Sequence, residues 1–366
     1  MKKGNSIVGG IIIMLAGIAL LWWNEGDSVK NIQAVNEGMK NYTDIKSFKV
    51  NDKYDGKLVA THGKLIVNGE ISDDEFGVTT NSAALSRKVE MYQWKEECDD
   101  DNCTYTKEWD DSLIDSSTFK ETGYSNPESM PYESEKFVSD QATIGAFTLP
   151  EKLVKGLSTE HRIKDLSEET ASNHSLTLSN NYYTNVIDGK AEVGNIRISF
   201  YDNNAKVISV LAMQIDDTFK TYKTKKGKDL FRIYEDNYNG YDMLMNISKQ
   251  NNIIKWVLRL VGTLLVICGI GSLFAPLTLI MDNIPILGGL VNGATGLISF
   301  VLGLSISLLV IAIAWFRFRP LLSIVLIVVV VFLVICLKLY SKSKPAKEKT
   351  NTPTLEKPSE NDTDEK

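Results

Sequence analysis

The side chains in this 366-residue chain that could do chemistry are few and scattered. The three histidines, His62, His161 and His174, stand far apart, and no pair has the spacing of a zinc site. There is no Gly-x-Ser-x-Gly elbow, no phosphate loop and no His-Glu-x-x-His. The run Asp99-Asp100-Asp101 could bind calcium weakly. It lacks the spaced ligands of a dedicated loop, and solvated turn acids are the commoner outcome. Cys98 and Cys103 bracket that run. In an oxidising compartment they could close a hairpin tip as a disulfide, and in a reducing one they would be free thiols. Cys268 and Cys336 fall in apolar segments and read as small apolar residues. Arg87, Glu90 and Glu108 could form a polar cluster, for which salt bridging is a commoner role than catalysis. These residues point to no enzyme and to no cofactor or metal.

The elements that must carry them alternate between helix and strand. Val29, Ile32, Val35 and Met39 have the spacing of three and four that suits an amphipathic helix over Asp27–Tyr42. Lys57–Val67 reads as a strand. Lys88–Glu97 and Thr104–Leu113 read as a hairpin closed by the Cys-bounded acidic turn, with Trp94 and Trp109 as core or cross-strand anchors. A second hairpin is expected from Asn195–Asp202 and Ala205–Ile215 around Asp202-Asn203-Asn204. A third is expected from Thr218–Thr224 and Asp229–Tyr234 around Lys226-Gly227-Lys228. Glu151–Glu169 reads as partly helical. Gly240–Gln250 reads as a helix that runs on into the next apolar segment, a rigid mount for the domain.

The apolar residues lie at the two ends, which the mean hydropathy of −0.10 conceals. Ile7–Trp23 is uncharged and closed by two tryptophans, as an uncleaved anchor should be. The rival, a cleaved signal peptide, lacks a small-residue cleavage site in Leu20-Leu21-Trp22-Trp23. The second block, 253–340, divides into spans at about 256–281, 296–316 and 321–339. The breaks hold Asp282, Asn283 and Pro285, then Arg317, Arg319 and Pro320. Four spans place both termini on one side, and the lysines at both ends put that side in the cytoplasm. Lys255, Arg259, Arg317 and Arg319 count against that assignment. Residues 25–252 hold 39 acidic and 27 basic side chains, a net charge of −12. A region this acidic is a poor candidate for binding nucleic acid or anionic lipid heads, and no nucleic-acid partner is expected. Residues 341–366 read as a disordered cytoplasmic tail. On span three, Ser299, Gly303 and Ser307 stack at i, i+4, i+8 as a helix-packing face. Spans three and four carry no acid or base except Lys338 at the very end of span four, which weakens an ion-coupled transporter reading.

Several blocks together resemble the transmembrane protein 43 family (TMEM43, also called LUMA). They are Trp23-Asn24-Glu25-Gly26, Arg87-Lys88-Val89-Glu90-Met91-Tyr92-Gln93-Trp94, Tyr105-Thr106-Lys107-Glu108-Trp109, Asn126-Pro127, Val193-Gly194-Asn195-Ile196-Arg197-Ile198-Ser199-Phe200 and Arg319-Pro320-Leu321. Asp27 departs from the arginine that the family pattern would place there. The resemblance covers nearly the whole chain. It implies four spans, a large loop in the lumen of the endoplasmic reticulum or perinuclear space of animal cells, and a non-enzymatic, self-associating organiser of membrane complexes. A composition rich in Lys, Asn and Ile behind Met-Lys-Lys points to a bacterial member, in the cytoplasmic membrane, without nuclear partners.

The expected fold class is an integral membrane protein: four α-helical spans plus a large β-rich α+β extracytoplasmic domain between spans one and two. The expected domains are 1–24 (stub and first span), 25–252, 253–340 and the tail 341–366. The expected function is a membrane scaffold whose partners are the lipid bilayer, further copies of itself and other membrane proteins. The alternative is an oligomeric channel or transporter built from spans two to four.

Overall fold

The structure is a computed structural model that describes residues 3–99, 102–281, 287–316 and 320–343. It divides into two compact units, residues 28–253 and the terminal segments that flank them in sequence.

The unit 28–253 is built on two seven-stranded sheets. Its five long strands are β1 (Leu58–Val67), β2 (Ala84–Asp99), β3 (Asn102–Asp110), β4 (Ile196–Asp202) and β5 (Val207–Ile215). The first sheet pairs β5 with β1 and adds short strands on both sides. The second runs from Thr177–Ser179 and Tyr182–Thr184 through β4 and β2 to β3. The first sheet buries apolar side chains on both faces, and the second packs one apolar face. Val59, Ile144, Phe147, Ile208, Val210 and Phe219 fill the core of the first. Leu85, Val89, Met91, Ile196, Ile198 and Phe200 fill that of the second. The period-two alternation of Ile196, Ile198 and Phe200 sends all three to one side of β4, as the pleat requires.

Asn195–Asp202 and Ala205–Ile215 do not form the expected hairpin. Both edges of β4 are already taken, by β2 on one side and by Tyr182–Thr184 and His161–Arg162 on the other. β5 pairs instead with β1, Thr218–Lys220 and Arg232–Tyr234. The Asp202-Asn203-Asn204 segment is therefore a crossing between sheets. The Asn203 backbone N–H donates to Ala84 O (3.0 Å), and its side-chain amide donates to Ser158 O (2.9 Å) and Glu235 Oε1 (3.1 Å). The third hairpin shrinks to Tyr222–Lys223 against Asp229–Leu230, because its outer residues join β5.

Four long helices are α1 (Lys3–Asn41), α2 (Gly240–Met281), α3 (Leu287–Phe316) and α4 (Pro320–Ser343). Within the domain unit, Val35 and Met39 of α1 meet Met243, Leu244 and Ile247 of α2 over Leu58, Ala60 and Leu211 of the first sheet. Among the described residues, three helices are long and apolar enough to cross a membrane, in Ile7–Asn41, Gly240–Phe274 and Ala294–Phe316; Ile327–Cys336 is a shorter apolar stretch of α4.

In the terminal unit α1 and α2 lie antiparallel and very close. Gly10 and Gly17 are seven residues apart on α1, as are Gly262 and Gly269 on α2. A Cβ on Gly17 would stand 2.8 Å from Gly262 O, and one on Gly269 would stand 2.7 Å from Gly10 O. Only hydrogen fits there, which is how helices in lipid gain packing contact. Gly303 of α3 is seated the same way on Ile267 of α2, where a Cβ would meet the isoleucine Cα at 2.8 Å. The Ser299–Gly303–Ser307 face is thus occupied by a helix of the same chain at its central residue. The hydroxyls of Ser305 and Ser307 are buried without a hydrogen-bond partner.

Candidate functional sites

The motif residues gather in two places, one in each unit. In the domain, cross-strand register sets Arg197 of β4 opposite Glu90 of β2, and Trp109 of β3 opposite Tyr92. The Arg197 guanidinium donates to both oxygens of Glu90, Nε at 2.7 Å and Nη2 at 2.9 Å. Lys88 Nζ adds a third bond at 3.1 Å. The Arg197 guanidinium carbon lies 4.7 Å from the centre of the Trp109 ring, and that ring packs 5.3 Å from Tyr92. Burial pushes the Glu90 carboxyl up, but the bonds from Arg197 and Lys88 outweigh it and hold the group below its usual range. Bonding to Glu90 in turn raises both Lys88 and Arg197. All three groups are thus held in their charged forms, a poor arrangement for acid–base work near neutral pH.

Arg87 does not join this cluster. Its side chain leaves the opposite face of β2, where it is 5 % exposed. Nη1 meets both Asp73 oxygens at 3.0 Å and Glu75 at 2.6 Å; Nη2 meets Glu135 at 3.3 Å. Burial raises the Asp73 carboxyl despite the attraction of Arg87. Glu108 pairs with Lys95 at 2.9 Å, so the expected Arg87–Glu90–Glu108 cluster is three separate ion pairs. A step of three along β2 reverses the face, which separates Arg87 from Glu90.

Trp94 is not a core anchor. It is half-buried, with Tyr124 edge-on at 4.8 Å and Lys107 Nζ 4.5 Å above the ring. The fully buried residue beside it is Gln93, whose amide is satisfied by Ser112 O (2.8 Å) and the Ile114 N–H (2.9 Å). Asn126 binds the Trp94 N–H and C=O at 2.7 and 2.9 Å and so ties the following loop to β2. Met91 is buried in the second core. At the hairpin tip Cys98 faces Cys103 across the ladder and the two are joined as a disulfide. Glu96, Cys98 and Cys103 cluster closely enough for a metal, but the bonded sulfurs offer no thiolate, and Glu96 accepts from Tyr105 Oη and Lys120 N, each at 2.6 Å.

His161 Nδ1 lies 2.7 Å from Asp202, whose other oxygen accepts from Thr80 and Ser82. The cleft beside them is lined by no serine or cysteine among the described residues. His174 bridges Tyr132 and Glu75 O and stacks on Phe76. His62 is exposed on β1.

The second gathering lies where the apolar part of α1 ends. Glu25 is fully buried and takes two bonds from Arg259 of α2, from Nε at 2.5 Å and Nη2 at 2.9 Å. The Trp315 indole N–H of α3 also donates to Glu25. The rings of Trp256 and Trp315 stand 4.6 and 4.9 Å from the guanidinium carbon. Asn24 donates to Lys255 O at 3.1 Å, and Gly26 has open space around it. Sequence reading found Glu25 but not its partner, because 234 residues separate them. The available signal was a pair of opposite charges, each at the end of an apolar segment. Arg319 lies outside the described residues, as do Asp100 and Asp101, the loop 282–286 and the tail from 344; Pro320 opens α4.

The family model described as transmembrane protein 43 matches residues 91–320. The transmembrane protein 43 homolog of Drosophila melanogaster is 26% identical over 339 residues, covering 86% of this chain and 89% of that protein. The transmembrane protein 43 sequences of Rattus norvegicus and Homo sapiens are each 26% identical over 336 residues, covering 85% of this chain and 84% of theirs. No solved structure matches the chain. With a β-rich domain flanked by long apolar helices, and a family match over most of its length, this chain belongs to the transmembrane protein 43 family.

Proposed function

We propose that the chain is a non-enzymatic scaffold of the membrane. It has four spans, cytoplasmic termini and an extracytoplasmic β-rich domain that gathers copies of itself and other membrane proteins. The observation that carries this reading is the state of the motif side chains. Glu25, Glu90 and Arg197 are spent on bonds that fix one element to another, rather than aimed at a substrate. The Cys98–Cys103 disulfide supports an oxidising compartment for the domain. The 24 residues of α4 span about 36 Å at 1.5 Å each, enough for a fourth crossing. Self-association runs through surfaces other than the Gly303 face, since α2 already covers that residue. In a bacterium the membrane is the cytoplasmic one; in animal relatives it is that of the endoplasmic reticulum or inner nuclear envelope.

Cross-linking in native membranes, followed by mild-detergent purification and mass spectrometry, tests the scaffold. Recovery of the chain bound to itself or to specific membrane proteins is expected. A lone monomer from intact membranes would overturn the reading. Topology is tested with cysteines placed at Asn185 and Ser359 and an impermeant reagent on intact cells. Labelling at Asn185 alone is expected, and labelling at Ser359 alone would reverse the orientation.

A further inference from the structure

A cavity of about 550 Å³ opens among α2, α3 and α4, within the terminal unit. That volume falls in the about 300–1,000 Å³ range of small-molecule sites. Its wall is apolar except at one end, where Arg259 stands beside Trp256 and Trp315, with Thr263 deeper on α2. The other wall is Leu304, Leu308 and Ile311 of α3, and Val325 of α4 lines it too.

Its depth can be measured against a bilayer. Arg259 is the last charged residue before the uncharged stretch 260–281 of α2, so it marks the edge of the hydrocarbon. From Trp315 to Leu304 the α3 wall runs eleven residues, about 16 Å of helix. Half of a hydrocarbon core of about 30 Å is nearly the same length. The cavity is therefore as deep as one leaflet, and Arg259, the one cation among its described lining residues, stands where a lipid headgroup begins.

The cation is prepared in advance. Glu25 fixes the guanidinium through Nε and Nη2, and two indoles flank it, while Nη1 takes no part in the Glu25 bonds. An arginine held in this way presents a donor to an anionic oxygen with little ordering left to lose. Phosphodiester oxygens are the anionic groups that every phospholipid carries at that depth. A protein–protein contact fits less well, because a partner helix is too wide for a slot of this size.

We propose that this cavity is a binding site for one acyl chain of a phospholipid, whose phosphodiester bonds Arg259. Glu25, Trp256 and Trp315 are positioning residues for that arginine. The site would tie the membrane helices to the lipid of one leaflet, whether or not the protein also gathers partners.

The test uses the full chain in phosphatidylcholine vesicles with a photoreactive phosphatidylglycerol that carries a diazirine in its acyl chain. Cross-links are expected on peptides 256–263 and 304–315, with the outward residues Val328 and Phe332 of α4 at least about tenfold lower, equivalent to about 1.4 kcal/mol. Leu308→Trp, which fills the cavity, should abolish the excess. A diacylglycerol with the same chain and no phosphate should label the cavity about tenfold less. Even labelling of all lipid-facing residues would overturn the proposal, and needs no variant. So would full labelling of a folded Leu308→Trp protein, or equal labelling by the diacylglycerol.

Discussion

The buried Glu25–Arg259 pair is where single side chains matter most in the terminal unit. Removing one member leaves the other charge without its partner, a loss of about 3–5 kcal/mol, whereas replacing both is often close to neutral. Glu25→Ala should therefore lower the melting temperature of the detergent-solubilised chain, and Glu25→Leu with Arg259→Leu should recover most of it. Equal losses in the single and double variants would show that the pair contributes attraction beyond its desolvation cost. Glu90 gives the domain a pH dependence. Its folded pKa is lowered, so its contribution is present above the unfolded value of about 4.3 and is lost as pH falls through the folded pKa. Asp73, whose pKa is raised, works in the opposite sense: its contribution is present below the unfolded value and fades as pH rises through the folded one. Glu90→Gln should flatten the fall in thermal stability below about pH 4.3 and cost about 1–2 kcal/mol at pH 7, with Arg197 partly exposed to screening solvent.

Elements decide which glycines and aromatics can change. Gly303 lets α3 rest on Ile267, and Gly17 and Gly269 let α1 rest on α2. Gly303→Leu has no space within the chain. It should lower the yield of folded protein, by an overpacking cost of about 1–3 kcal/mol or more, rather than release a folded lower-order species. Size-exclusion chromatography with a melting curve distinguishes the two outcomes. On the β2–β3 hairpin, Trp94→Ala removes one ring contact and one cation–π contact from a half-buried surface, about 1–2 kcal/mol. Phe200→Ala, on a fully buried ring, should cost about 3–5 kcal/mol. A melting series in which Trp94→Ala equalled Phe200→Ala would place Trp94 in a tighter environment than its contacts indicate.

At the scale of the whole molecule, a disulfide ties the fold to a compartment. Cys98 and Cys103 should map as bonded in protein taken from intact cells and alkylated before lysis. Two alkylated cysteines would put the domain on the reducing side and reverse the proposed orientation. The bond closes a short loop, so its entropic stabilisation is only about 2 kcal/mol, and Cys98→Ser with Cys103→Ser should leave the domain folded. The apolar blocks showed a membrane protein with a large polar middle, and the motif strings alone carried the resemblance to the family.

What the chain by itself determined is what local pattern encodes. Uncharged runs make α1, α2 and α3, period-two alternation makes β2 and β4, and a Cys-bounded acidic turn makes the hairpin between β2 and β3. Glu90, Trp109 and Arg197 were legible as motif residues, but only as members of separate strings. Tertiary structure decided their company. The register of β2 against β4 delivers Arg197 to Glu90, and the face of β2 sends Arg87 to Asp73. The same holds for the rejected hairpin, since a turn signal at Asp202-Asn203-Asn204 says that the chain bends but not which edge is still free. Glu25 and Arg259 are the extreme case. Each looked like an ordinary interfacial charge, and only the antiparallel packing of α1 on α2, set by glycines that admit no Cβ, brings them into bonding distance.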